Sequence, residues 1–114
     1  MREGLKNKMD KKEKDKYKLK AEILKSIAHP LRLAILDLLK NKERNVEEIT
    51  QIVGEKQSTI SKHLAVLKKA GIVDDKKIGL YRFYYLKIPC VFNFSICVSQ
   101  TLKEKIKLEK KLVM

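Results

Sequence analysis

Two short helical patterns, joined through one glycine and closed by another, constrain this chain more than any other feature. Asn45-Val46-Glu47-Glu48 reads as a helix start: Asn45 can cap free amides, and Glu48 stands three residues on, as a capping box requires. The short helix that follows buries Val46, Ile49 and either Ile52 or Val53. Gly54 ends it, because glycine takes the left-handed backbone of a tight turn at little steric cost. A second helix runs from about Gln57 to Ala70, with Ile60, Leu64 and Leu67 as its buried stripe. Gly71 terminates it. Residues 56–70 contain no acidic side chain, and Gln57, Ser58, Ser61, Lys62, Lys68 and Lys69 fall on the face opposite the stripe.

The flanks extend this pattern. Leu19, Ile23, Leu24 and Ile27 recur at helical spacing between Tyr17 and Ala28. His29-Pro30 stops that helix, and Pro30 can open the next, which carries Leu31, Ala34, Ile35, Leu38 and Leu39 and ends near Asn41. Beyond Gly71 the composition turns to β-branched and aromatic residues. Ile72-Val73 and the run Leu80 to Leu86 predict a two-stranded hairpin with its tip near residues 76–79. Pro89 breaks the strand, and Phe94, Val98, Leu102, Ile106 and Val113 predict a long amphipathic helix over about 90–113. Residues 1–16, Lys6 among them, are charge-dense and read as a frayed helix or a disordered basic arm. The expected fold is mainly α with a small β-hairpin, in the order α-α-α-α-β-β-α: a winged helix-turn-helix over residues 17–114.

Charge gives this fold a use. The net charge is +13, from 27 basic and 14 acidic residues, which suits a polyanionic partner. Only four of the basic residues are Arg, so a general lysine bias explains part of the excess. A helix fits the major groove of duplex DNA, where Gln57 can pair bidentately with adenine and Ser58, Thr59 and Ser61 can reach bases or phosphates. Lys62, Lys68 and Lys69 suit the flanking backbone, His63 can meet a phosphate, and the hairpin would bring Lys76, Lys77 and Arg82 to an adjacent phosphate run or minor groove. Two other uses stay open: a nucleic-acid binder without sequence preference, and a winged helix that binds only protein. Enzyme chemistry is not expected. The chain has two histidines, no glycine-rich phosphate loop and no Ser/His/Asp set in a fitting context. No apolar run suits a bilayer span or a signal peptide, so no membrane partner and a cytoplasmic location are expected.

The run from Leu24 to Leu36, with Ala28-His29-Pro30 and Arg32 at its centre, resembles the opening of the ArsR/SmtB family of repressors. Gln57-Ser58-Thr59-Ile60-Ser61-Lys62-His63-Leu64, then Leu67 and Ala70-Gly71-Ile72-Val73, resemble that family's recognition helix and exit. Gly79 to Tyr84 with Leu86 resembles its wing. The likeness covers about residues 19–90. It implies a homodimer joined through the first and last helices, a palindromic operator in double-stranded DNA, and repression relieved by a small effector. It implies a packing or capping role for His29. The apolar faces at Leu19 and Ile23, and at Phe94, Val98, Leu102 and Ile106, independently ask for a partner chain, because so short a chain has little core to cover them. The sequence departs from the family at Glu55 and Lys56 before the recognition helix, and at Asp74 and Asp75 at the base of the wing.

Some members of the family sense metals, and two of their sites look absent here. Asn45 and Glu47 stand where one type has a Cys-x-Cys pair, and no histidine follows His63 for the type that binds zinc on the last helix. The remaining soft groups are Cys90 and Cys97. Seven residues along a continuous helix rise about 10.5 Å, beyond the usual Cα separation of a disulfide, about 7 Å at most, so an intrachain bridge needs Cys90 outside the helix, which Pro89 allows. Two readings stay open. Both can be small buried apolar residues. Alternatively, the four thiols of a dimer can hold a soft metal ion or answer to oxidants.

Overall fold

The computed structural model describes residues 8–113, apart from the side chains of residues 91, 92, 94, 95, 112 and 113. Among the described residues the elements are helix α1 (Lys11–Ile27), helix α2 (Pro30–Leu39), strand β1 (Arg44–Asn45), helix α3 (Val46–Val53), helix α4 (Gln57–Lys69), strands β2 (Val73–Ile78) and β3 (Tyr81–Leu86), and helix α5 (Val91–Val113). The fold is a winged helix-turn-helix, mostly helical with one small antiparallel sheet.

Local chemistry accounts for the boundaries. Helix α1 starts six residues before Tyr17, inside the expected basic arm. The Asp10 carboxylate accepts the Glu13 N–H at 2.8 Å, and the lysines and glutamate that follow are good helix formers. Residues 1–7 of that arm lie outside the described residues. His29 caps α2 by accepting the Leu31 N–H on Nδ1 at 3.1 Å, with Pro30 at the first helical position. The capping box of α3 is complete: Glu48 N–H donates to Asn45 Oδ1 at 2.8 Å, and Asn45 N–H donates to Glu48 Oε1 at 3.2 Å.

Gly71, at φ 83°, ends α4 in a Schellman turn. Ile72 N–H reaches back to the Leu67 carbonyl and Gly71 N–H to that of Lys68, each at 3.0 Å. Ile72, now buried, packs in the same cluster as Leu67. The turn therefore aims the chain straight from α4 into β2. Strands β2 and β3 pair from Val73↔Leu86 to Ile78↔Tyr81, with Gly79-Leu80 as a two-residue turn. The tip thus falls later than expected, and Lys76 and Lys77 belong to the strand. Strand β1 adds a third member through Arg44↔Tyr84 and Asn45↔Phe83, giving the order β1-β3-β2. Two residues are too short to carry a period, which is why the sequence reading missed it.

One core binds these pieces. Ile35, Leu36 and Leu39 of α2 pack with Ile49 of α3, with Ile60, Leu64 and Leu67 of α4, and with Ile72 and Val73. Val53 packs against this cluster and Ile52 is exposed, which resolves the alternative left open for α3. Each fully buried Leu or Ile side chain contributes roughly 1.5–3 kcal/mol. The central helices and the root of the wing are thereby held as one body.

Candidate nucleic-acid interface

Helix α4 buries Ile60, Leu64 and Leu67 and leaves Gln57, Ser58, Ser61, Lys62, Ala65, Lys68 and Lys69 exposed. These positions share one face at helical spacing, and the helix carries no acid. Ala65 sits in the middle of the face, where its small side chain lets a flat surface approach the backbone. The sequence reading passed over it for want of a polar group. Thr59 is half-buried at the edge. Lys56 holds the cap position without a side-chain hydrogen bond, so the first amides of α4 lack a capping side chain. Lys62, Lys69 and Lys77 form no ion pair among the described residues.

His63 does not belong to this face. It lies three residues from Ile60 and four from Leu67, on the flank of the buried stripe, and is half-buried. Its Nδ1 accepts a hydrogen bond from Arg32 Nε at 3.1 Å, and its ring lies 4.3 Å from that of His29. Arg32 also donates through NH1 to the Ser26 carbonyl at 2.9 Å. One guanidinium thus ties the end of α1 to the middle of α4. Burial lowers the His63 pKa, and the nearby charges of His29, Arg32 and Lys62 lower it further, against a smaller opposing effect of Glu55. His63 is better placed to hold helices together than to meet a phosphate.

The wing separates its three cations. Side chains alternate across a strand, so Lys77 shares a face with its cross-strand partner Arg82, and Lys76 lies on the other face. Lys76 ion-pairs with Glu43 at 2.8 Å and lies over the Tyr85 ring, 5.8 Å from its centroid. Lys76 thus lies apart from Lys77 and Arg82.

Asp75 organises the junction of helix and wing. Its side chain is only 5% exposed; one oxygen lies 2.7 Å from Lys68 Nζ and the other 2.8 Å from Arg82 NH1. The bond to Lys68 lowers the Asp75 pKa most, burial opposes it, and the bond to Arg82 lowers it again. The same contact raises the pKa of Lys68. Two cations expected to face DNA are thus held inside the protein's own ion pairs. Adjacent acids in a lysine-rich strand read as a departure from the family; nothing in the sequence pattern marks one of them as enclosed.

The thiols lie elsewhere. Cys90 precedes α5 and Cys97 lies within it; both are free and exposed, which removes the reading of them as buried residues in a single chain. Among the described residues no group of three or more His, Cys, Asp or Glu side chains is arranged to hold a metal. Leu19 and Ile23 on α1 and Val98, Leu102 and Ile106 on α5 are exposed, while the side chain of Phe94 lies outside the described residues. No helix among the described residues is long and apolar enough to cross a membrane.

Comparison with known proteins agrees with this geometry. The profile of the family described as bacterial regulatory protein, arsR family, matches residues 29–75. The HTH-type transcriptional regulator Rv0081 of Mycobacterium tuberculosis is 42% identical over 74 residues, which span 64% of this chain and 65% of that one. The HTH-type transcriptional regulator MJ1325 of Methanocaldococcus jannaschii is 47% identical over 73 residues, 63% of this chain and 82% of that one. The transcriptional repressor PagR of Bacillus anthracis is 40% identical over 72 residues, 62% of this chain and 72% of that one. Among solved structures, that of Rv0081 superposes with a TM-score of 0.72 at 34% identity, covering 82% of this chain and 94% of that one. The homodimeric winged helix-turn-helix DNA-binding domain Mb0332 of Mycobacterium bovis superposes with a TM-score of 0.74 at 28% identity, covering 87% of this chain and 92% of that one. These relatives carry the names of transcriptional regulators and a repressor.

Proposed function

This chain belongs to the arsR family of bacterial regulatory proteins, and from that premise we propose that it is a homodimeric transcriptional repressor reading a palindromic DNA operator through α4 and the wing. The observation that carries the reading is the exposed, acid-free face of α4, from Gln57 to Lys69. Gln57, Ser58 and Ser61 near its N-terminal end are short enough to read base edges in a major groove, while Lys62 and Lys69 suit the phosphates beside them. The uncapped first amides of α4 add partial positive charge at the same end. Two such helices, related by a two-fold axis, would meet two half-sites about one DNA turn apart. The homodimeric state of the M. bovis domain supports the dimer. The exposed apolar positions of α1 and α5 support it independently.

An effector acts, in this reading, at the exposed thiols of Cys90 and Cys97, as a soft metal ion or a thiol oxidant. The four thiols of a dimer supply the donors that one chain lacks.

Selection of bound duplexes from a random pool tests the whole reading, run with reductant, with oxidant and with Cd(II). A repressor should prefer one palindrome over random DNA by about 10³-fold or more. On that site Gln57→Ala should cost about 1–3 kcal/mol, and Lys62→Ala should weaken all duplexes alike and reduce the salt slope by about 1. Equal, sequence-independent losses from both changes would indicate a general nucleic-acid binder. No binding in dilute buffer would indicate a protein-interaction module.

A further inference from the structure

We infer that Asp75 is the positioning residue that makes the recognition helix and the wing a single reader and sets how much positive charge that reader shows to DNA. The inference rests on the DNA-binding reading above. Three elements meet at this carboxylate: Lys68 comes from the last turn of α4, Asp75 from β2 and Arg82 from β3. Each oxygen serves one cation, at 2.7 Å and 2.8 Å. The carboxylate is enclosed, whereas the two cationic side chains are 48% and 59% exposed, so the clamp lies beneath the rim of the α4 face. The neighbouring acid does something different: Asp74 accepts the Asp75 N–H at 2.8 Å and forms no ion pair among the described residues.

The arrangement has two consequences for binding. A duplex contacted by α4 in one groove and by the wing beside it is read well only if the angle between them is fixed. The clamp fixes it at the point where the chain passes from one to the other. The single negative charge also offsets part of the two positive ones. Lys68 and Arg82 are thus withheld from the phosphates, leaving Lys62, Lys69 and Lys77 as the cations of helix and wing without an ion pair among the described residues. Non-specific affinity, which grows with each phosphate neutralised, is held down while geometry is held firm.

Asp75→Asn tests this directly, with binding to the selected operator and to a random duplex measured as a function of salt. The expected result is tighter binding to random DNA with a salt slope steeper by about 1–2, because about 0.9 is added per cation released. The operator-to-random ratio should fall by about tenfold or more, and Asp75→Glu, which keeps the charge, should restore the wild-type slope. An Asn variant with wild-type slope and ratio overturns the inference. So does one that loses affinity for both duplexes alike. Should Asp75→Asn fail to fold by circular dichroism, the double variant Lys68→Gln, Arg82→Gln decides the matter. It opens the clamp without freeing a cation. A lower ratio at unchanged slope supports the inference, and a slope reduced by about 2 shows ordinary phosphate contacts and overturns it. Absence of duplex binding by the wild-type protein would instead sink the DNA-binding reading itself.

Discussion

His63 shows how a single side chain can carry the pH dependence of this fold. It is half-buried, accepts a hydrogen bond from Arg32 on Nδ1, and stacks at a tilt against His29. Burial first, then the charges around it, hold its pKa below the ordinary 6.5 in the folded chain. The unfolded chain therefore takes up the proton more readily as pH falls. The stability that neutral His63 contributes is complete above about pH 6.5 and is lost as pH drops through the folded value. Thermal unfolding of the wild type should accordingly shift to lower temperature between about pH 7 and about pH 5, and His63→Gln should flatten that dependence. A glutamine variant as pH-sensitive as the parent would show that the dependence arises elsewhere. The residue identities of the α4 face were legible in the sequence because helical spacing alone separates Gln57, Ser61 and Lys62 from Ile60 and Leu64. Arg32, His63 and Asp75 were misjudged or missed because their partners are 31, 31 and 7 residues away along the chain. No local pattern encodes such pairings.

Among the elements, α3 is the shortest helix and leans most on its ends. It has only eight residues, Val46–Val53, a length that is marginal for an isolated helix. The reciprocal bonds of Asn45 and Glu48 hold one end, and Gly54 N–H donating to the Thr50 carbonyl at 2.9 Å holds the other. Asn45→Ala should lower stability by about 1 kcal/mol, seen as a drop in the urea midpoint with an unchanged m-value. A shift of no more than a few tenths of a kcal/mol would mean that packing of Ile49 alone sets the helix. Capping chemistry is why this element, α2 and the end of α4 could be placed from sequence to within a residue or two. The opposite case is α1. Its first turns are nearly all charged, so hydrophobic periodicity gave no sign of them, and charge density alone left a frayed helix and a disordered arm as equal readings. The wing's strands were visible as β-branched and aromatic runs, but the position of their turn depends on register, which composition alone does not fix.

At the scale of the whole molecule, the described chain is extended. Its radius of gyration is 18.4 Å, against about 13 Å for a compact domain of this length. Helix α5 has little contact with the other described elements. Leu102 on its apolar face is 56% exposed, and Ile23 on α1 is 42% exposed. If these faces meet in a second copy, as proposed above, the unfolding temperature should rise with protein concentration by mass action. Leu102→Glu should abolish that rise and halve the mass seen by sedimentation equilibrium. A wild-type protein that sediments as a monomer at all concentrations would remove the dimer from the reading.

The link from helix to wing is short: Ala70, Gly71 and Ile72 are all that stand between α4 and β2. Because a strand shows its two sides in strict alternation, the parity of that link is fixed. One extra residue there would turn the strand inside out, exchanging Asp75 for Asp74 beneath the helix and lifting Val73 out of the core. Length variation in such chains is therefore better tolerated at the far turn of the hairpin, around Gly79 and Leu80, where a longer loop leaves both strands facing as they do now.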